Sequence, residues 1–203
     1  IRHNRVRDIP PLPSGEWKVI SRQGTIICEH VVNAGGCYAA QIGAWVGLDL
    51  PITNMKHQYL VTEPIQEFIN RDDQIPVMRD PYPNAYYRQE QKSGLIGIYE
   101  RVGTQEAWFG AEQDWEAESE LFAPDFDVIM PGLERVMERM PIFAEAGIRR
   151  VINGANPRTP DHNPLLGPAP GLRNFWLSCG QNMGIGQGAG AGKCLAQWII
   201  HGA

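Results

Sequence analysis

No run of apolar residues in this chain approaches the ~18 that a membrane-spanning helix requires, so the sequence offers no candidate span. Positive charge is also sparse. The formal net charge is -5, and basic residues gather no more densely than pairs such as Arg149–Arg150. A nucleic-acid surface needs them clustered, so that class of partner is set aside. Cysteine is scarce and scattered: Cys28, Cys37, Cys179 and Cys194 show no Cys-x-x-Cys spacing. This argues against a disulfide framework or zinc site, and for thiols buried among small and apolar neighbours in a reducing compartment. The five histidines lack His-Glu-x-x-His or paired spacing, which leaves metal chemistry without support. The opening residues carry no apolar signal-peptide stretch. Cytosol is the default compartment, with the mitochondrial matrix open if an address precedes Ile1. Without an initiator methionine, the chain reads as part of a longer polypeptide.

What is present suits a globular fold. Hydrophobic residues make up 43% and charged residues 20% of 203 positions, enough for one core or two small ones. Trp17–Ser21 and Thr25–Val32 read as strands around a turn at Gln23–Gly24, the second running into Asn33-Ala-Gly-Gly and a helix over Cys37–Val46. A strand, a glycine turn and a helix are the texture of an open α/β sheet. After Pro51 the texture changes. Lys56–Thr62, Ile75–Asp80, Ala85–Glu90 and Leu95–Glu100 alternate over short stretches, as in an antiparallel sheet. Residues 101–119 read as an irregular polar loop. Asp125–Met140 then carries apolar residues at helical spacing, with Asp125 as cap. From about residue 149 the α/β texture returns, with a strand at Asn174–Gly180 and a helix over Cys194–Ile200. The expected class is α+β: an α/β remnant over residues 1–50 and 149–203, interrupted by an antiparallel-sheet domain over 51–148.

Three groups of residues could carry chemistry. Between Gly180 and Gly192 lie six glycines, ahead of the last helix. They suit a backbone that approaches a ligand closely beside a helix N-terminus, and equally suit tight helix–sheet packing. The pattern is not a phosphate-binding P-loop, because Cys194 rather than Ser or Thr follows Lys193. His57 shares a strand face with Tyr59 and Val61, opposite Gln58 and Leu60. Such a histidine is more often a satisfied half-buried side chain than a catalyst. Of the neighbours Tyr86 and Tyr87, at most one can share a cleft with it. An imidazole and a phenol together could hold an amine or take its proton. Asp161, in a loop stiffened by Pro157, Pro160 and Pro164, fits a simple Asx turn.

In Val31–Ala39, Lys56–Thr62, Ala85–Glu90, Thr159–Pro168 and Asn182–Lys193, taken in order, the chain resembles the flavoprotein dehydrogenases of dimethylglycine and sarcosine, within the D-amino-acid-oxidase-like superfamily. The resemblance implies a Rossmann-type FAD domain interrupted by a substrate domain. It implies oxidation of an N-methylated amine by hydride transfer to flavin, with the electron acceptor unassigned. His57 and Tyr86 would line the substrate pocket as catalytic residues. Asn33, Ala34 and Gly35 would pack beside the nucleotide. Pro160, Asp161 and the segment Asn182, Met183, Gly184, Ile185, Gly186 and Gln187 would lie near the flavin ring. The initial Gly-x-Gly-x-x-Gly strand and ribose-binding acid are not in this sequence, and the chain is expected to be a carboxy-terminal fragment, inactive alone. Competing expectations are the same fold acting on a D-amino acid, glycine or glycerol phosphate, or a catalytically incomplete substrate-binding module.

Overall fold

The computed structural model describes residues 3–100, 103–109, 112–117 and 120–202. In chain order its elements are β1 (Val6–Asp8), β2 (Trp17–Ser21), β3 (Gly24–Cys28), β4 (Val31–Asn33), α1 (Ala39–Trp45), β5 (Thr53–Pro64), α2 (Gln66–Ile69), β6 (Met78–Asp80), β7 (Ala85–Glu90), β8 (Ser93–Ile98), α3 (Phe126–Arg139), β9 (Ile148–Arg158), β10 (Leu165–Pro168), β11 (Phe175–Cys179) and α4 (Gly184–His201). This is the mixed helix-and-strand class that the sequence implies. Two compact units emerge: one comprises Ile1–Asn54, Ala111–Gln113 and Pro157–Ala203, the other Met55–Gly110 and Asp114–Asn156.

The first unit contains two three-stranded sheets, ordered β1-β2-β3 and β10-β11-β4. In the second of these, β4 and β11 run parallel, with Val31 opposite Phe175 and Asn33 opposite Leu177. Each parallel strand leads towards a helix, β4 to α1 and β11 to α4, so both chain exits lie at one carboxyl edge of the sheet. Trp17 and Phe175 anchor the core, their rings edge-on at 5.2 Å. The indole N–H of Trp17 is satisfied by the Arg173 carbonyl at 3.0 Å.

Several expectations are corrected here. The strand expected over Thr25–Val32 breaks at Glu29–His30, and its two halves join different sheets. The α-helix after β4 begins at Ala39, because Gly36–Tyr38 forms a 3-10 turn first. The last helix starts ten residues early, at Gly184 rather than Cys194. Its glycines carry a weak helix propensity, but the second half docks: Leu195 is buried and Trp198 packs edge-on to Trp176 at 6.2 Å. No cysteine forms a disulfide, yet the thiols are not uniformly buried: Cys179 is, while Cys194 is exposed.

The second unit is a five-stranded sheet, ordered β6-β7-β8-β5-β9, covered on one face by α3. The β6–β7, β7–β8 and β8–β5 pairings are antiparallel. Alternation along β5 sends Gln58 and Leu60 inward, and from Leu60 burial continues unbroken through Val61 and Thr62, next to a register irregularity between Val61 and Pro64. Leu60, Ile96, Ile98, Ala85 and Tyr87 meet Ile129, Leu133 and Val136 of the helix in one cluster. Burying each aliphatic side chain there stabilises the unit by ~1.5–3 kcal/mol. The helix starts where Asp125 accepts a hydrogen bond from the Val128 N–H at 3.3 Å, the cap read from the sequence. The strand expected over Ile75–Asp80 shortens to Met78–Asp80, consistent with Pro76 having no N–H for a ladder. The short helix α2 carries too few residues to leave a periodic pattern in the sequence. In the expected loop over 101–119, residues 101, 102, 110, 111, 118 and 119 lie outside the described residues. Ala107, within that stretch, is buried.

Candidate functional site

The face of the five-stranded sheet turned away from α3 presents a row of polar and aromatic residues. Directly paired residues of an antiparallel ladder point to the same side. Arg79 pairs with Tyr86, Tyr86 with Gly97, and Gly97 with Tyr59, so the row is Arg79, Tyr86, Gly97, Tyr59 across four strands. Gly97 is the reason the row closes up: a Cβ there would fall inside the Tyr86 ring. Tyr87, one residue on, points the other way into the core and donates its hydroxyl to Asp80 at 2.9 Å.

His57 joins Tyr86 in this cluster. Its ring stacks on Tyr99 at 5.7 Å and 19°, and lies 6.3 Å from Tyr86, while Tyr86 and Tyr99 are 5.3 Å apart. The Arg79 guanidinium sits 4.8 Å over the Tyr99 ring. Behind the histidine, its Nδ1 is 2.8 Å from Oε2 of Glu100, a carboxylate whose side chain is 1% exposed against 15% for His57. The other oxygen of Glu100 accepts the Gln58 N–H at 2.9 Å. Gln58 is itself held, its amide donating to the Asp125 carbonyl at 3.1 Å and accepting the Asp125 N–H at 2.8 Å. Burial, followed by the charges of Tyr99, Tyr59 and Glu100, pushes the Tyr86 phenol up to about 12. At neutral pH it is therefore a hydrogen-bond donor and not a base.

A cavity of about 590 Å³ in this unit shares Tyr99 and Glu100 but is otherwise lined by residues such as Asn84, Val128 and Arg135. His57, Tyr86 and Tyr59 are not in its wall, so it is distinct from the aromatic row. Among the described residues no group of three or more His, Cys, Asp or Glu could hold a metal ion.

The remaining candidates lie in the other unit, at the carboxyl edge of β4 and β11. Asn33 is buried and internally satisfied, donating to the Ala39 carbonyl at 2.9 Å and accepting the Gly35 N–H at 3.1 Å. Gly35 keeps close packing, since a Cβ would come within 2.5 Å of the Ile42 Cδ1 tip and 3.1 Å of Asn33 Oδ1. Ala34, between them, is exposed. At the adjacent strand exit, Gly180 has a positive φ of 67° and a Cβ there would lie 2.7 Å from Thr159. That contact places the loop of Pro160 and Asp161 beside the glycine segment. Asp161 accepts the Asn163 N–H at 3.0 Å, an Asx turn as expected, and this bond with the Asn163 side chain lowers its carboxyl below the usual range.

Asn182 and Met183 lead into α4, whose N-cap Met183 offers no side-chain cap. Met183 and Ile185 are exposed apolar side chains, and Gln187 is exposed beside them. A Cβ at Gly186, Gly190 or Gly192 would meet no atom within 4 Å among the described residues outside its own helix turn. Packing inside the chain therefore does not explain these three glycines.

Sequence reasoning missed Glu100, Tyr99, Gly97 and Arg79. A signal existed for one of them, because a glycine inside an apolar strand run, Leu95-Ile-Gly-Ile, marks close approach.

Residues 1–198 match the family described as FAD dependent oxidoreductase. The chain is 38% identical over 200 residues to mitochondrial dimethylglycine dehydrogenase of Mus musculus, covering 97% of this chain and 23% of that protein. It is 36% identical over 185 residues to mitochondrial sarcosine dehydrogenase of the same species, covering 91% of this chain and 19% of that one. The chain thus spans about a quarter or less of these relatives' length. L-proline dehydrogenase from P. horikoshii superposes with a TM-score of 0.81 at 24% identity, over 100% of this chain and 50% of that one. Glycine oxidase from Geobacillus kaustophilus gives 0.69 at 22%, with the same coverages. At such identities these two structures establish the fold alone.

Proposed function

Starting from the fact that the chain belongs to the FAD dependent oxidoreductase family, we propose that it forms part of an enzyme oxidising an N-methylated amino acid, dimethylglycine or sarcosine, at the carbon next to nitrogen. The observation that carries this reading is the grouping of His57, Tyr86, Tyr99 and Arg79 on one open sheet face. Each part matches a piece of such a substrate. Tyrosine faces attract a methylated ammonium through their ring quadrupoles, worth ~0.5–2 kcal/mol. Arg79, with its guanidinium over Tyr99, brings positive charge for the substrate carboxylate. Tyr86 donates a hydrogen bond and orients, and His57 takes the ammonium proton so that the nitrogen lone pair becomes available. The names of the two mouse relatives, which carry these substrates, support the choice among amines.

The edge of β4 and β11 fits FAD. It combines exposed apolar Met183 and Ile185, an uncapped helix start and glycines whose missing side chains no neighbour fills. The Nε of Arg158, next to Thr159, is a buried donor without a hydrogen-bond partner among the described residues. Ala34, Pro160, Asp161, Asn182, Met183, Gly184, Ile185, Gly186 and Gln187 would hold it, with Asn33 and Gly35 shaping the turn behind them. When bound, FAD supplies the acceptor for the hydride. Mitochondria, named for both mouse relatives, are the proposed compartment.

The test is anaerobic mixing of the FAD-loaded protein with dimethylglycine and sarcosine. Bleaching of the flavin absorbance on mixing is expected, and a protein that takes up FAD but is reduced by neither amine would refute the substrate assignment.

A further inference from the structure

We propose that Glu100 is a positioning residue that fixes the proton of His57 on Nδ1 and so reserves Nε2 as the proton acceptor for the amine. The inference rests on the substrate reading above, and it arises from geometry on the far side of the ring from that face. Glu100 is nearly inaccessible, and each of its oxygens has one partner: the Gln58 backbone N–H on Oε1 and His57 Nδ1 on Oε2. A backbone N–H can only donate, so it fixes the carboxylate as an acceptor on that side. The matching arrangement on the other side is Nδ1–H donating to Oε2.

The carboxylate itself is held by its neighbours. It hangs on Gln58, whose side chain bonds both the N–H and the carbonyl of Asp125 at the start of α3. Tyr99 stacks on the ring at 5.7 Å. The groups around the imidazole are thus Glu100 and Tyr99 after β8, Tyr86 on β7, Tyr59 on its own strand, and Arg79 above Tyr99. Glu100 is the one carboxylate among them.

The step balances simply. The substrate N–H bond breaks, its electron pair stays on nitrogen, and the proton forms a bond to Nε2. The imidazolium so produced carries its new charge against the Glu100 carboxylate, which stabilises it without taking the proton. An Nε2–H tautomer could not do this, since the nitrogen facing the amine would already be occupied.

Two measurements on the FAD-loaded protein test the idea. The first is the rate of flavin reduction by dimethylglycine in Glu100→Gln, His57→Ala and the double variant. Glu100→Gln should lower the limiting rate by about 10²-fold, the lower end of what a positioned base contributes, with little change in the substrate concentration giving half-maximal rate. In the His57→Ala background the same change should be silent within about twofold, since the effect runs through the ring. Glu100→Asp, which keeps the charge, should recover part of the loss. An equal loss from Glu100→Gln with and without His57 would overturn the proposal and assign Glu100 a structural role. That result would leave the substrate reading intact, whereas a His57→Ala variant as fast as the parent would sink the substrate reading itself.

The second measurement needs no turnover and no Glu100 variant. In ¹⁵N-histidine-labelled protein, the His57 signal, assigned by its loss in His57→Ala, should report a protonated Nδ1 and an unprotonated Nε2. A proton on Nε2 alone would refute the proposal.

Discussion

The two units build their candidate sites in opposite ways. On the tyrosine face the chemistry comes from side chains that support one another: His57 on Glu100, Tyr99 under His57, Tyr86 laid across Gly97. At the glycine edge it comes from side chains that are missing, leaving backbone and open space along the first half of α4. The first arrangement is braced by contacts within the unit, and the second leaves space of the kind that the proposed cofactor would fill. Glycine therefore means different things in the two places. At Gly97 it yields to a neighbour in the same chain, and at Gly186, Gly190 and Gly192 to no neighbour among the described residues.

The contrast is open to attack at several points. The strongest blow is His57→Ala, which should slow flavin reduction by the amine by about 10²–10⁴-fold while leaving bound flavin in place; stopped-flow absorbance decides it. Next comes the pair of glycine substitutions. Gly97→Ala forces Tyr86 aside and should cost about 1–3 kcal/mol of stability, as overpacking does. Gly190→Ala meets no protein atom, so helix propensity should leave the melting temperature unchanged or raise stability by up to ~1 kcal/mol. FAD affinity should nonetheless fall. Thermal melts with and without FAD separate the two, and a Gly190→Ala protein that binds FAD as tightly as the parent would remove the ligand explanation for that glycine.

A smaller effect concerns proton linkage. Because burial raises Tyr86 to about 12, the folded protein holds that proton where an unfolded chain, with phenols near 10, has released it. The folded form binds more protons over that interval, so the contribution is fully present below pH ~10 and is lost as the pH rises towards 12. Ultraviolet titration should show one late-ionising phenol fewer in Tyr86→Phe, and a flatter alkaline decline in stability. The mildest change is Asp125→Ala, where loss of the helix cap should cost about 1 kcal/mol in denaturant melts.

How much of this was visible in the residues depends on what each signal encodes. The alternation of β5 already separated His57 and Tyr59 from Gln58 and Leu60, and the structure keeps that division, whereas Val61 is as buried as Leu60. Asp125 as cap and Asp161 as an Asx turn follow from side chains bonding their own backbone, so they were legible locally. Glu100 was not. Its partners are 42 and 43 residues away, and no local pattern reports which distant strand lies alongside. The early start of α4 was hidden for a different reason. Glycine argues against helix, and only docking of Leu195 and Trp198 against the sheet outweighs that preference. The break after Cys28 likewise reflects a choice of sheet, made by long-range pairing with β11.

Gln58 joins two things usually described apart. Through its backbone it steadies the acid behind His57, and through its amide it grips both backbone polar groups of Asp125, the residue that caps α3. Fraying at the head of that helix would loosen Gln58 and, through it, the carboxylate behind the imidazole. On gentle heating, catalysis should fail some degrees before the core gives way, with the leading turn of α3 serving as the fuse.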